Sequence, residues 1–503
     1  MSDSPSLADF RLRLVELGYS RATLRSLGAF AGVPIDRESA IEQTGDRSNI
    51  SIAVRMFFLR VPVAPALAKT ALGEGVFDIL LSEGVLTLQD GAVVSQCAVI
   101  PIGDIYTLRD FEPNETGLPL RPDHVLGVGK ATSILSMLTV RRPVARALDI
   151  GCGQGFHAMI AAGSHAGHVT GTDINTRALW MARLSAKINY LANITFVEGS
   201  LFDAVKGQEP FDLIVSNPPF IISPPHDLVC LGGSAVGDGL VAELISGVPG
   251  HLAPGGYACV MCNWYHNGEE WSKRPRSWIP PGSSCDAWLI ETRRETAQEY
   301  IEGWMKEAEF ASRGDGTLTA NAWSEYLRSL EATHISLGCM ILRKRAGGEI
   351  LGVQTPANWF RADSLDIETC TSEAGEQIEQ IFANQTLLAN LSEESTLVDL
   401  PLSLAATARL TQTLGTTDGE PGWKPLTATL RHAEGFEMTL DLDPHAAALL
   451  GAFAGTGATP RAAVMALAQE LKTDPQRALG AAGAFLAHML SAGYLCAPVD
   501  HPL

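Results

Sequence analysis

Charged side chains are scarce in this chain of 503 residues: Asp, Glu, Lys and Arg make up 18% of it, against 46% apolar residues. That balance excludes a self-repelling disordered polymer and points to a mostly folded protein. Basic charge is scarcer still. Thirty-seven Lys and Arg face 56 Asp and Glu, for a formal net charge of −19, which opposes long-range attraction to nucleic acid while allowing a local basic patch. Long apolar runs are also missing. Even the stretch from Ala446 to Leu467 is broken by Thr456, Thr459 and Arg461, so no segment reads as a bilayer span and no membrane partner is expected. The opening MSDSPSLADF lacks the basic start and apolar core of a secretory leader, which makes a cytoplasmic protein the expectation. Cysteines are few and odd in number, nine in all, a pattern of free thiols in a reducing compartment. Cys259 and Cys262 are spaced like half a zinc site, but YACVMCNW reads as a strand and no second pair follows. Two core thiols and no metal are expected there.

A chain this long exceeds one ordinary core, and its patterning divides it into residues 1–120, 121–347 and 348–503. In the first part, Phe10, Leu12, Leu14, Val15 and Leu17 can line a helical face that Gly18 ends, and a second helix is predicted near Ile52–Leu59. From Gly75 to Ile105 a short helix is followed by strands that turn at Gln89-Asp90-Gly91; this helix-then-ribbon order resembles a winged helix. From Val144 the pattern becomes strand, helix, strand, with strands predicted at ARALDI, HVTGTDI, ITFVEG, FDLIVS and YACVMCN. Such alternation marks a parallel sheet covered by helices on both faces, an α/β doubly wound fold. AWLIE, helices near Thr296–Ala308 and Asn321–Ala332, and HISLGCMILRKR complete it. The last part reads as strand-like pieces, LVDLPLSLAATARL and GFEMTLDL among them, followed by an Ala-rich helical tail. The flanks are thus α+β modules, possible protein-docking or winged-helix-like pieces.

Two motifs carry chemistry. In ALDIGCGQG, a strand runs into Gly151, Gly153 and Gly155, where the backbone can approach a ligand and the following helix offers free N–H groups. Asp149 just before the glycines suits the cationic end of a ligand, and Asp173, at the end of the next strand, is placed to accept two ribose hydroxyls. Those residues describe a pocket for an adenosine that bears an amino acid. Upstream, Gly127 and Gly129 in VLGVG precede a helix predicted from about Thr132, a lid over a ligand or merely a lead-in loop. Residues 144–265 resemble a class I S-adenosylmethionine-dependent methyltransferase. The resemblance implies a Rossmann-like sheet of seven strands with the last antiparallel and S-adenosyl-L-methionine as cofactor. It further implies methionine passing Gly151, Gly153 and Gly155, ribose on Asp173 beside Asn175, and adenine near Ser200 and Leu201.

The second motif is DLIVSNPPF, where two prolines that cannot donate ladder hydrogen bonds stop a buried strand and leave Asn217 at its C-terminal edge. Similar tetrads occur in methyltransferases acting on nitrogens conjugated to planar systems: nucleobase amino groups and the glutamine amide of release factors. Such a nitrogen is a poor nucleophile because its lone pair is delocalised. The Asn217 side-chain oxygen and the Pro218 carbonyl are two acceptors able to draw its N–H bonds out of plane, and Phe220 is able to stack on the acceptor. LGGSAVGDGL after the tetrad resembles a segment of the glutamine methyltransferases, with Asp238 expected to cap the helix from Leu240. Trp264, Tyr265, Trp271, Lys273, Arg274, Arg276 and Trp278 interleave aromatics with bases. This is either a stacking and phosphate-contacting surface or, as favoured, a helical face on the sheet. The acceptor stays open at this point between protein, peptide and nucleic acid, as does a catalytically silent cofactor-binding module.

Overall fold

The computed structural model describes residues 6–28, 36–116, 120–225, 229–231, 236–268, 270–311, 319–346, 358–370, 373–391, 393–416, 422–436, 438–453 and 458–496. It divides into two compact units. The first comprises Met1–Ser133, Arg142–Gly282 and Arg293–Met340, and the second Ile134–Arg141, Ser283–Thr292 and Ile341–Leu503.

Among its described residues the first unit begins with six helices, from Leu7–Glu16 to Glu74–Ser82, followed by the hairpins β1 (Leu86–Gln89) with β2 (Ala92–Ser95) and β3 (Ala98–Ile102) with β4 (Ile105–Arg109). The turn between β1 and β2 is the expected Asp90-Gly91 pair, both with positive φ (50° and 80°), the backbone that suits a two-residue hairpin. The first helix buries Leu7, Phe10 and Leu14, whereas Leu12 and Val15 are 54% and 59% exposed. Its inner face is therefore rotated from the one predicted, because apolar residues on both flanks blurred a stripe that only the i, i+3, i+7 set occupies. These helices do not form a core of their own. Phe10, Phe57 and Leu80 belong to one cluster with Met181, Leu184 and Ile188 of the later helix Thr176–Ile188.

From β5 (Val144–Ile150) the predicted alternation follows: β6 (Ala166–Asp173), β7 (Ile194–Glu198), β8 (Phe211–Ser216) and β9 (Leu252–His266), with helices Phe156–Ser164, Thr176–Ile188 and Gly239–His251 between them. All adjacent pairs in β9-β8-β5-β6-β7 are parallel. Leu148, Ile150, Leu213, Ile214 and Val215 are buried, as parallel strands covered on both faces require. Asp212 fixes the start of the β5/β8 pair, its Oδ2 accepting from the Ala145 and Arg146 N–H groups at 3.0 Å each. β10 (Cys285–Thr296) and β11 (His334–Lys344) follow. The His266 carbonyl accepts from Thr333 N–H at one end while Cys262 reaches the Gly338 carbonyl further in, so β11 runs antiparallel to β9, as the resemblance implies. Among the described residues the large sheet counts eight strands, one more than the seven expected; the addition is β12 (Phe360–Ser364), parallel to β10.

One close approach inside this sheet is testable. A Cβ on Gly171 of β6 would stand 2.7 Å from Phe196 Cδ1 and 3.3 Å from Cys152 Sγ. Gly171→Ala is therefore expected to lower stability by about 1–3 kcal/mol through overpacking, read as a lower urea midpoint; an unchanged midpoint would show that Phe196 moves aside freely.

In the second unit, β13 (Ser403–Leu404) pairs with β17 (Leu495–Cys496), and β14 (Ala408–Gly415), β15 (Lys424–His432) and β16 (Thr439–Leu442) form an antiparallel sheet. Helices Pro444–Phe453, Arg461–Glu470 and Pro475–Ser491 supply Leu450 and Phe453, Val464, and Leu486 and Leu490 in turn to its core. The piece LVD, predicted as strand, is instead a 3₁₀ turn within Glu394–Asp399. Among the described residues no helix is long and apolar enough to cross a membrane.

Candidate functional site

The glycine turn after β5 is built as a cradle. Gly151, Gly153 and Gly155 all have positive φ (65°, 54° and 85°), a region that side-chain-bearing residues rarely adopt. Asp149, 2% exposed, accepts from the Ala158 N–H at 2.9 Å, and burial, with Asp173 adding to it, pushes its carboxyl up to about 8. Asp173 at the end of β6 accepts from Gly153 N–H at 2.8 Å and Asn175 N–H at 2.9 Å. Its pKa is also raised, because burial outweighs those hydrogen bonds. The Gln154 Oε1 in the same turn is buried without a partner. Two desolvated carboxyl groups beside a glycine cradle favour a ligand whose positive charge draws them into the ionised form, and the residues fit an adenosine-linked amino acid that carries a sulfonium and an ammonium.

The other predicted cofactor residues have definite places. Asn175 caps the helix Thr176–Ile188, its Oδ1 accepting from the Arg177 and Ala178 N–H groups. Its Nδ2 donates to the Asp123 carbonyl at 2.9 Å, stitching the loop before VLGVG to the edge of the pocket. Asp110 reinforces that stitch by accepting from Arg177 and from Val125 N–H. Ser200 is exposed beyond β7, and Leu201 has a positive φ of 46°, a strained backbone of the sort that gathers at ligand sites.

β8 ends at Ser216, as the prolines dictate, and Ser216 pairs across to Ile150. Asn217 therefore stands level with Gly151, and a Cβ on Gly151 would lie 3.8 Å from Pro218 Cα. The cofactor cradle and the NPPF tetrad are thus neighbours at the C-terminal edge of the sheet, where open α/β folds bind ligands. Asn217 Nδ2 donates to Thr132 Oγ1 at 3.2 Å, while Asn217 Oδ1 is buried with no partner. One end of the amide is thereby fixed and the other is left to accept. The helix carrying Thr132 starts at Lys130, two residues before the predicted start. Thr132→Val, which keeps shape and removes the hydroxyl, is expected to slow turnover about tenfold with ligand affinity of the glycine cradle unchanged, measured by initial rates beside calorimetry; wild-type rates would show that Asn217 needs no such tether.

Phe220 lines an open cleft with Asn263, Arg293, Glu295, Tyr300, Gly303, Trp304, Ile335 and Leu337. Sequence reading missed all but Phe220. A signal existed for Asn263, a lone amide closing the apolar run of β9; none existed for Tyr300, which approaches through folding. Asp238 does not cap its helix by a side-chain bond. It grips Arg274 at 2.5 and 2.6 Å instead, and Arg274 lies 3.9 Å over the Tyr265 ring, so this base is spent on structure. Trp264 is buried and donates to the Trp271 carbonyl, Trp278 is buried, and Lys273 pairs with Glu270, in keeping with the packing reading of that segment. Gly232 and Gly233 of the GG segment lie outside the described residues. Cys259 and Cys262 are buried thiols of β9, and among the described residues no group of three or more His, Cys, Asp or Glu could hold a metal ion.

Residues 127–270 match the family described as "Methyltransferase small domain". A release factor glutamine methyltransferase of Xylella fastidiosa is 40% identical over 130 residues, which is 24% of this chain and 47% of the relative. The enzyme of the same name from Bordetella pertussis is 33% identical over 160 residues, 29% of this chain and 56% of its own. The chain spans about half the length of these relatives. The segment 127–270 is a class I S-adenosylmethionine-dependent methyltransferase domain of the small-domain group.

Proposed function

We propose that the protein transfers a methyl group from S-adenosyl-L-methionine to the side-chain amide nitrogen of a glutamine in a protein or peptide. The observation that carries this reading is the buried, unpartnered Asn217 Oδ1, held by Thr132 beside the glycine cradle. When bound, the cofactor supplies a methyl group already activated on a sulfonium, so no covalent enzyme intermediate is needed. Asp149 and Asp173 hold its cationic and ribose ends. Asn217 Oδ1 and the Pro218 carbonyl accept the two N–H bonds of the acceptor amide, orient its nitrogen toward the methyl and stabilise the positive charge that develops on it as the S–CH3 bond breaks and the N–CH3 bond forms; one N–H proton is then lost to water. The names of the matched relatives and the absence of long-range basic charge support glutamine over a nucleobase.

The test is a cell lysate incubated with the protein and methyl-labelled cofactor. Label in protein that acid hydrolysis releases as methylamine is the expected result, since a methylated amide hydrolyses to glutamate and methylamine. Label recovered in nucleosides after nuclease digestion would overturn the assignment.

A further inference from the structure

Asn263 is an anomaly in its strand. β9 is apolar and buried from Tyr257 to Cys262, and an amide in such a place is costly unless its polar atoms are used. At 3% exposure, Asn263 donates from Nδ2 to Tyr300 Oη at 3.3 Å, while its Oδ1 is buried with no partner. Leaving such an atom unsatisfied costs about 1–3 kcal/mol. The same Tyr300 Oη accepts from Ile222 N–H at 3.1 Å, so one hydroxyl locks both the loop after the tetrad and the orientation of the Asn263 amide. The locked amide lines the cleft that Phe220, Trp304, Ile335 and Leu337 flank with apolar surface.

Resting on the glutamine reading, we propose that Asn263 Oδ1 accepts the main-chain N–H of the acceptor glutamine while Asn217 holds its side-chain amide, making Asn263 the residue that selects a peptide-borne amide. Ser216 of β8 is level with Val260 of β9, which places Asn263 two residues beyond the level of Asn217, a rise of about 7 Å along the strand. An extended glutamine separates its side-chain nitrogen from its main-chain nitrogen by about 6 Å, so one residue spans the two asparagines. The mouth of the cleft fits the same class. Glu295 pairs there with one nitrogen of the exposed Arg293, so a carboxylate stands at the mouth against any phosphate that a nucleotide acceptor would bring.

The experiment uses the full chain saturated with S-adenosylhomocysteine and ligand-observed NMR titration of two probes. N-acetyl-L-glutamine methylamide has both amides, and butyramide only the side-chain one. The wild type is expected to prefer the capped glutamine by about tenfold, and Asn263→Ala to lose that preference with S-adenosylhomocysteine affinity unchanged, which also shows that the variant is folded. Asn263→Asp should restore it, because Tyr300 can donate to one carboxylate oxygen and leave the other for the ligand. A preference that survives Asn263→Ala overturns the inference and leaves the glutamine reading standing. Binding of adenosine 5′-monophosphate in place of the capped glutamine overturns the glutamine reading, and the inference with it.

Discussion

Asn217→Ala is expected to lower kcat by about 10²–10³-fold, the effect of deleting one preorganised group aimed at charge developing in a transition state, while S-adenosylmethionine still binds. The separation of effects follows from geometry. Asp149, Asp173 and the glycine cradle are tied together by Gly153, Ala158 and Asn175 N–H groups, none of which depends on the Asn217 side chain. Asn217 contributes only its free Oδ1 and its tether to Thr132. Asn217→Asp should fall between wild type and alanine, because the Thr132 hydroxyl can reverse and donate to the carboxylate, leaving one oxygen to accept from the substrate. Single-turnover rates with the labelled acceptor, set beside calorimetric cofactor titration, separate the two steps. An alanine variant that turns over at the wild-type rate removes Asn217 from the chemistry, and with it the amide-clamp reading of the tetrad.

The parts of this site that were legible in the sequence are those in which a local pattern forces a local structure. Leu213 to Val215 followed by two prolines can hardly be anything other than a buried strand that ends abruptly, and β8 ends one residue before Asn217. The spacing from Asp149 through three glycines to Asp173 set the cradle for the same reason, since strand, turn and helix follow within a few residues of one another. Asp238 and Asn263 show where that reasoning stops. Asp238 sits where a helix cap belongs, but an ion pair with Arg274, 36 residues away, takes the carboxylate. A capping bond and a buried ion pair compete for the same oxygens, and only the packed chain reveals which wins. Asn263 gains its orientation from a tyrosine 37 residues further on, and Asn217 gains its own from a threonine 85 residues earlier. Contacts of that length are set by sheet order. The first helix fails for the opposite reason: Leu12 and Val15 have the right character and the wrong side of the cylinder.

Binding of S-adenosylmethionine is expected to release protons below about pH 8 and to weaken as the pH falls. Asp149 is buried, and the low-polarity surroundings push its carboxyl up to about 8, with Asp173 adding to the rise and the Ala158 N–H only partly opposing it. In the free protein the carboxyl therefore holds its proton at neutral pH. A cationic ligand favours the ionised form, so binding expels that proton, and affinity should fall by up to about tenfold for each pH unit below 8. The stability of the free protein moves the other way. In the unfolded chain the aspartate ionises near its ordinary value of 3.8, while the folded state retains the proton to about 8. The native state thus binds the extra proton across that window, and stability is lost as pH rises through it, by up to about 1.4 kcal/mol per unit. Saturating cofactor should flatten the decline, because the ligand's charge stabilises the ionised carboxylate. Asp149→Asn should abolish the proton release on binding and shrink the stability slope to the part that Asp173, whose carboxyl burial also raises, still contributes, and it should weaken binding by about 3–5 kcal/mol, the scale of removing one partner from a buried charge pair. Calorimetry in two buffers of different ionisation enthalpy counts the protons directly. A dissociation constant independent of pH between 6 and 8, with no proton released, would mean that Asp149 is already ionised in the free site, and that its burial is compensated before the cofactor arrives.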